Sequence, residues 1–243
     1  MSQKYPGGFI TKNPPLPSGS FETSTAKGVW TLDQAMQFKK QGLWPTAGNI
    51  APGAAYGGGF FVGQISTAGN GIADYNLVVG PLASAQSASK QWKTSNTSTA
   101  GTSSVIDGPA NSAAMNDASH PAAQFCEGLT IGGFSDWYLP ALNELEICYY
   151  NLKPTTYVNN TSYGINANAV PARASNYTDT NPAQTSAADF KDTGAEDFIN
   201  GYYWSSTQNS ATYGWKITFY YGSQGATSKT GSNPVRAVRR VAV

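Results

Sequence analysis

Apolar positions along the chain recur with two periods, and the densest run is Ile131–Leu152, IGGFSDWYLPALNELEICYYNL. Within it Leu142, Leu145, Cys148, Tyr149 and Leu152 are spaced by three and four, which is one face of an α-helix. Pro140 stands just before them, and its fixed φ and missing amide donor suit a chain entering a helix. A Gly-Gly turn and the apolar run Phe134–Leu139 precede the proline and predict a strand. A helix of about eleven residues does not hold itself together in water, so its apolar face has to be buried against something else. Strand, proline corner and helix therefore form the centre of the fold.

The other elements follow from the same reading. Ala122, Phe125, Cys126 and Leu129 predict a first core helix over Ala118–Leu129. Phe60–Ile65 and Asn76–Val79 read as strands joined through a Gly69-Asn70-Gly71 turn, after a Gly/Pro/Ala linker at Ala47–Gly59. Near the end, Tyr202–Ser206, Gly214–Tyr220 and Val235–Val241 read as strands, with a turn around Tyr221–Gly225. Trp215, Ile217 and Phe219 alternate with Lys216 and Thr218, the mark of a half-buried strand. Two long polar stretches interrupt these elements. Pro81–Ala114 has Trp92 as its only aromatic residue, and Thr155–Asn200 carries Tyr157, Tyr163 and Tyr177. Loops of this length are usually functional or disordered.

The first 45 residues differ in character. Pro6, Pro14, Pro15 and Pro17 disfavour helix, so residues 1 to 29 read as an extended, irregular arm. Thr31 and Gln34 then form a capping-box pair that opens a short helix over Leu32–Gln41, stopped by Gly42 and Pro45. Trp30, Leu32, Met36, Phe38 and Trp44 supply its apolar surface, and they are the candidate partner-docking residues. The alternative is an extension folded back on its own domain. Two domains are expected, a docking module over 1–45 and a larger domain over 46–243.

Composition narrows the chemistry. Of the 243 residues 40% are hydrophobic, which supports a real core, while 12% charged is about half the usual share. A net charge of +1 gives no electrostatic case for nucleic acid. No stretch of about eighteen apolar residues is present, so no membrane insertion is expected, and the N-terminus lacks an apolar signal-peptide core. The two cysteines, Cys126 and Cys148, both sit in helical patterns and read as buried thiols, with a bridge between them left open. His120 is the sole histidine, and no G-x-S-x-G elbow accompanies it. One His and two core-facing Cys do not make a zinc site. Asp189, Asp192, Glu196 and Asp197 read as surface carboxylates, since their spacing does not match a calcium loop. Glu144 and Glu146 stand two apart on a helix and so point in different directions, which argues against a glycosidase pair. Arg236, Arg239 and Arg240 read as ion-pair partners on the last strand. No catalytic residue, cofactor or metal is assigned.

Three blocks carry a family resemblance: HPAAQFCEGLTIGGFSDWYLPALNELEICYYNL at His120–Leu152, YYWSSTQNSATYGWKITF at Tyr202–Phe219 and PVRAVRRV at Pro234–Val241. A weaker one is YGGGFFVGQI at Tyr56–Ile65. Together they resemble the SDW-x-LP…EL domain of unknown function, which has a C-type-lectin-like fold. That fold is shared with the C-terminal domains of collagen-like bacterial adhesins, with formylglycine-generating enzymes and with phage tropism determinants. The resemblance implies an α+β architecture: two short core helices on small, mostly antiparallel sheets, with long ordered loops. Ala141 departs from the pattern, because such domains often carry a Ser or Thr cap there, worth on the order of 1 kcal/mol. The active-site cysteine pair of the formylglycine-generating enzymes has no counterpart, because no cysteine follows Cys148. The Glu-Pro-Asn and Trp-Asn-Asp signatures of calcium-dependent lectins are missing as well.

A fold of this kind hosts enzymes and binders alike, so function rests on the site. The aromatic and amide-rich C-terminal region combines flat faces with hydrogen-bonding groups, the composition of a paratope. Asn209, Tyr213, Tyr220, Tyr221 and Gln224 are the candidate ligand-binding residues there, while Trp204 and Trp215 read as core. The expectation is a non-enzymatic phage virion protein, a tail fibre or tail-associated receptor-binding adhesin for a host surface glycan or protein. It would be made in the host cytoplasm, hold other virion proteins through its arm and form a homo-oligomer, a trimer by analogy. The alternatives are a head or tail decoration protein without a receptor, and a bacterial surface adhesin or orphan enzyme of the same fold.

Overall fold

The computed structural model describes Lys4–Tyr5, Gly8–Phe9 and residues 50–243. The chain divides into two compact units, Met1–Ile50 and Ala51–Val243. In the first, β1 (Lys4–Tyr5) pairs antiparallel with β2 (Gly8–Phe9). The expected helix over Leu32–Gln41 and the docking residues Trp30, Leu32, Met36, Phe38 and Trp44 lie outside the described residues.

The second unit is α+β. Short helices pack on small antiparallel sheets joined by long ordered loops, as expected for a C-type-lectin-like domain. One sheet has the order β12-β5-β4-β3, built from β3 (Ala55–Tyr56), β4 (Gly59–Ile65), β5 (Tyr75–Val79) and β12 (Val238–Ala242), with β7 (Ala169–Val170) added to β4. A second sheet has the order β10-β9-β8, from β8 (Tyr202–Gln208), β9 (Tyr213–Thr218) and β10 (Gln224–Ser228). A third pairs β6 (Gln86–Gln91) with β11 (Ser232–Arg236). The helices are α1 (Leu82–Ala85), α2 (Gly108–Ala113), α3 (Pro121–Glu127) and α4 (Leu142–Leu152), and a 3-10 turn covers Ala188–Phe190.

Helix α4 is the hub. Leu142, Leu145, Cys148, Tyr149 and Leu152 are all buried, as their spacing requires. So are Glu144, Glu146 and Ile147 on the remaining sides, because the helix runs between β4 on one flank and β8–β9 on another. One apolar face was expected, and a helix enclosed nearly all round is found. Ala141 caps nothing with its own methyl group, and the missing acceptor is replaced from outside. Thr207 Oγ1 accepts from the Leu142 amide at 3.0 Å, and the Val105 carbonyl accepts from Asn143 at 2.8 Å. Glu144 Oε2 turns back to the Ala141 amide at 2.8 Å. Free amides at a helix start need such partners, and the fold supplies them through tertiary contacts.

The SDW segment is extended without being a strand. Ile131 and Phe134 exchange both backbone hydrogen bonds at 3.0 Å across Gly132 and Gly133, which take φ of 61° and 83° as a tight two-residue hairpin turn demands. Beyond it only Tyr138 pairs, with Val238. Asp136 forms a fork to Arg239 at 2.7 and 2.9 Å, and Trp137 is buried beneath it. The first and last family blocks therefore meet across this ion pair and across a second, between Glu144 and Arg240 at 2.8 Å.

Other expectations need correction. Val235–Val241 is two strands, since the chain changes sheets at Ala237, whose amide bonds Ala85 and whose carbonyl accepts from Gly80. Pro234 sits at the register shift in β11, where a missing amide does no damage. Arg236 thus belongs to β11, and Arg239 and Arg240 to β12. The linker Ala47–Gly59 includes β3 and the start of β4. The turn expected at Tyr221–Gly225 opens into β10, whose small polar residues give no apolar alternation to read. The first core helix is the shorter α3, because Asp117 holds Ser119 and His120 in a turn before Pro121. Both long polar stretches contribute to the core, through Trp92 in the first and Tyr177, Phe190 and Phe198 in the second. Trp204 is buried as expected, whereas Trp215 is only half-buried. Among the described residues every buried side-chain nitrogen and oxygen has a hydrogen-bond partner.

Candidate recognition surface

The five residues picked from the sequence do not form one patch. Asn209 and Tyr213 flank the β8–β9 turn, where the Asn209 and Ser210 amides both bond the Tyr213 carbonyl at 3.0 Å. Tyr220 and Tyr221 lie beyond the other end of β9, and half-buried Gln224 opens β10 opposite Ile217. Six residues, most of them in β9, separate Tyr213 from Tyr220, roughly 20 Å at the usual rise.

Tyr213 is 46% exposed and stands without an aromatic neighbour among the described ring pairs. Tyr220 is part of a cluster. The Tyr157 ring stacks on it with centroids 4.3 Å apart and planes at 24°, and Tyr221 meets it edge-on at 5.5 Å. Tyr157 and Tyr220 remain 49% and 37% exposed. Next to them Lys216 lies over the Tyr202 ring at 3.7 Å. The nearby Tyr157 hydroxyl raises the Tyr220 phenol above its ordinary value, and the Tyr221 hydroxyl does the same to Tyr202. The face is thus uncharged apart from Lys216, whose own pKa is lowered by burial.

The cluster is braced from below. The Thr155 hydroxyl donates to the Tyr220 carbonyl at 3.1 Å, and the Asn160 amide to the Tyr221 carbonyl at 2.8 Å. These bonds fasten the second long polar stretch to the β9–β10 turn. Gly222 allows the turn to lie against the Tyr149 ring. Its φ is 77°, and a Cβ there would fall 2.2 Å from a Tyr149 ring carbon. Sequence reasoning included Tyr220 and Tyr221 but not Tyr157, Tyr202 or Lys216. The signal for Tyr157 was a lone aromatic in a polar loop, which is ambiguous until the fold brings it to the turn.

The other chemistry-bearing residues have structural partners. His120 Nδ1 faces Asp117 at 2.8 Å and Nε2 faces Thr99 Oγ1 at 2.9 Å. The Asp117 carboxylate can only accept, so Nδ1 carries a proton, and Thr99 Oγ1 also accepts from Lys93 Nζ at 2.9 Å. Ser119 and His120 together hold Asp117 well below the carboxylate range, at about 2. This acid–imidazole–hydroxyl order resembles that of a hydrolase relay, yet Thr99 and His120 are both buried. Glu144 bonds Tyr138 and Arg240, while Glu146 bonds Tyr177, Asn166 and Arg173, so the two carboxylates diverge. Burial raises the pKa of each. Burial likewise raises both thiols, and Cys126 and Cys148 are free. Arg236 pairs with Glu196 at 2.6 Å, as expected of an arginine that belongs to the fold. Asp192 accepts from Asn200 and Asp197 from the Thr193 amide. Among the described residues no group of three or more His, Cys, Asp or Glu gathers to hold a metal ion. Nor is any helix there long and apolar enough to cross a membrane.

Two small pockets share Tyr150 and Arg173 as walls, with volumes of about 60 and 170 Å³. Sites that engulf a small molecule typically measure 300–1,000 Å³. The Arg173 guanidinium, which could line a ligand, already stacks on Tyr150 at 4.0 Å and pairs with Glu146.

Together these features define a C-type-lectin-like α+β domain whose exposed aromatic face is held on a loop and a strand turn. The model of the Lcl C-terminal domain matches residues 86–239, well over half of the chain, and the chain belongs to that family. No curated protein matches it. The match starts at β6, although β12 completes its sheet only by pairing with β5, outside the matched span.

Proposed function

We propose that this chain is a non-enzymatic recognition protein of a phage particle, a tail fibre or tail-associated adhesin that meets a host surface glycan or protein. The observation that carries the reading is the Tyr157–Tyr220–Tyr221 cluster. Its stacked rings stay exposed while their backbone is fastened at 3.1 and 2.8 Å. A rigid aromatic face loses little entropy on binding, and its hydroxyls offer hydrogen bonds in both directions. Sugars and polar protein surfaces both suit such a face. A near absence of charge keeps the desolvation cost low. The resemblance to collagen-like adhesins and phage tropism determinants supports the same role. The 1–45 segment would hold the protein in the particle, with Trp30 and Phe38 as anchors, in a homo-oligomeric assembly.

The test is competition. Purified protein added to susceptible bacteria should occupy the receptor and slow adsorption of particles that carry the same protein. Immunolabelling of those particles should place it at the tail. Label on the head together with unimpaired adsorption would make the protein a decoration and sink the receptor reading.

A further inference from the structure

The loop that carries Tyr157 has a charge inside it. Lys153 follows the last residue of α4 and is 1% exposed. Its Nζ donates to the Tyr157 carbonyl at 2.5 Å, to Asn159 Oδ1 at 2.7 Å and to the Pro182 carbonyl at 3.3 Å. An ammonium group has three donors, and all three are used. None of the described ion pairs includes Lys153, so oxygen dipoles rather than a carboxylate take up its charge.

The oxygens come from two strands of loop far apart in sequence. Asn159 completes the joint: its Oδ1 also accepts from Tyr149 at 2.6 Å, while its Nδ2 donates to the Thr178 and Pro182 carbonyls, each at 2.9 Å. The Asn159 amide bonds the Asp179 carbonyl at 3.1 Å. Segments 157–159 and 178–182 are thus drawn onto one nitrogen at the end of the hub helix. A burial this deep is costly for a charge, which makes it informative. A side chain of similar length without a donor, such as Met, would leave the Tyr157 carbonyl without this partner, whereas Asn159 Oδ1 and the Pro182 carbonyl also accept from Tyr149 and from Asn159 Nδ2.

We propose that the Lys153 ammonium is a built-in cation that orders the 155–182 loop and thereby sets the Tyr157 face, a positioning role that needs no bound metal. Carbonyl and amide oxygens converging on a cation are the coordination of a hard metal ion, and here the chain supplies the cation covalently. The loop then carries its own organiser, and the face is present without an external ion. The ordering claim stands on the cage alone. Only the consequence for binding rests on the proposed recognition role of Tyr157.

The direct test uses wild-type protein. At low temperature and neutral pH, nitrogen-detected magnetic resonance should show the Lys153 ammonium as a slowly exchanging NH₃⁺ with couplings to carbonyl carbons. A fast-exchanging, solvent-like signal would overturn the cage. Hydrogen exchange gives the second measurement. In Lys153→Ala, amides of 155–182 should exchange roughly tenfold faster or more while those of β4 and β5 hold, a local opening. Propylammonium, the fragment removed, should restore protection where propanol does not. Equal effects of the two would contradict a role for the charge, as would a Lys153→Met protein with wild-type protection. If a chelator opened the segment in wild-type protein, a metal would be the organiser and the proposal would fail. Receptor attachment separates the two ideas: an opened Lys153→Met loop that still attached normally would overturn the reading of the Tyr157 face and leave the cage standing.

Discussion

The two ends of β9 make a controlled comparison within one strand. Each presents tyrosine, and each rests on a buried lysine caged by oxygens. At the Tyr213 end Lys229 donates to the Thr97 carbonyl at 2.9 Å and to Gln208 Oε1, and lies over the Trp92 ring at 4.5 Å. Lys93 shares that loop, bonding Ser98 and Thr99, so two cations sit close together. At the Tyr220 end a single lysine gathers its loop, and that loop delivers a second tyrosine onto the first. The loop beside Tyr213 carries Asn96, Thr97 and Ser98 and brings no ring to it. Exposure alone would favour the other end, since Tyr213 is the more exposed of Tyr213 and Tyr220. The lesson is preorganisation: a braced aromatic pair begins with less freedom to lose than a lone side chain.

The largest effect should erase both ends at once. Trp137→Ala empties the site beneath the Asp136–Arg239 fork and should cost roughly 3–5 kcal/mol, enough to unfold the domain in a thermal melt. A cooperative melt near the wild-type temperature would show that the SDW block is not central. Gly222→Ala should act at the Tyr220 end alone. A side chain there meets the Tyr149 ring at φ 77°, a conformation that costs on the order of 1–3 kcal/mol before any clash. Denaturant unfolding should register that loss, with β8–β9 amides at the Tyr213 end keeping their exchange protection.

Smaller effects sharpen the contrast. Tyr157→Ala removes a stacked pair worth about 0.5–1.5 kcal/mol. Stability should fall by no more than that, and attachment to bacteria should weaken. Tyr213→Ala should leave stability within about 0.5 kcal/mol and attachment unchanged. The least effect is in the pH profile. Burial first, and Lys93 second, lower Lys229 to about 8, against 10.5 in an unfolded chain. Between those values the unfolded state holds more protons, so stability should rise with pH across that window. Lys229→Met should flatten this rise in unfolding curves taken from pH 7 to 10. An unchanged slope would mean that other lysines account for it.

Much of the fold was legible because its signals are local. The spacing of Leu142, Leu145, Cys148, Tyr149 and Leu152 fixes α4, and alternating or continuous apolar runs mark β4, β5, β8 and β9. The sheet change at Ala237 was not legible, since Val235–Val241 has an unbroken strand pattern and the break depends on where Ala85 and Gly80 lie. Strand β10 was missed because Gln224–Ser228 buries no large apolar residue. The site divides along the same line. Tyr220 and Tyr221 stood out as adjacent aromatics in a polar turn. Tyr157, more than sixty residues earlier, reaches Tyr220 only through Thr155, Asn160 and the Lys153 cage, which are tertiary contacts with no periodicity to announce them.

The central claim is that recognition belongs to the braced end of β9. The measurement that bears on it most directly is binding of fluorescently labelled protein to whole susceptible bacteria, with two variants compared at equal thermal stability. In one, Tyr157, Tyr220 and Tyr221 are replaced by Ala; in the other, Asn209 and Tyr213 are. The account predicts that the first loses binding by roughly tenfold or more, as removal of aromatic anchors does at interfaces, while the second binds as wild type. Wild-type binding by the first variant with loss in the second would contradict it and move the recognition surface to the Tyr213 end.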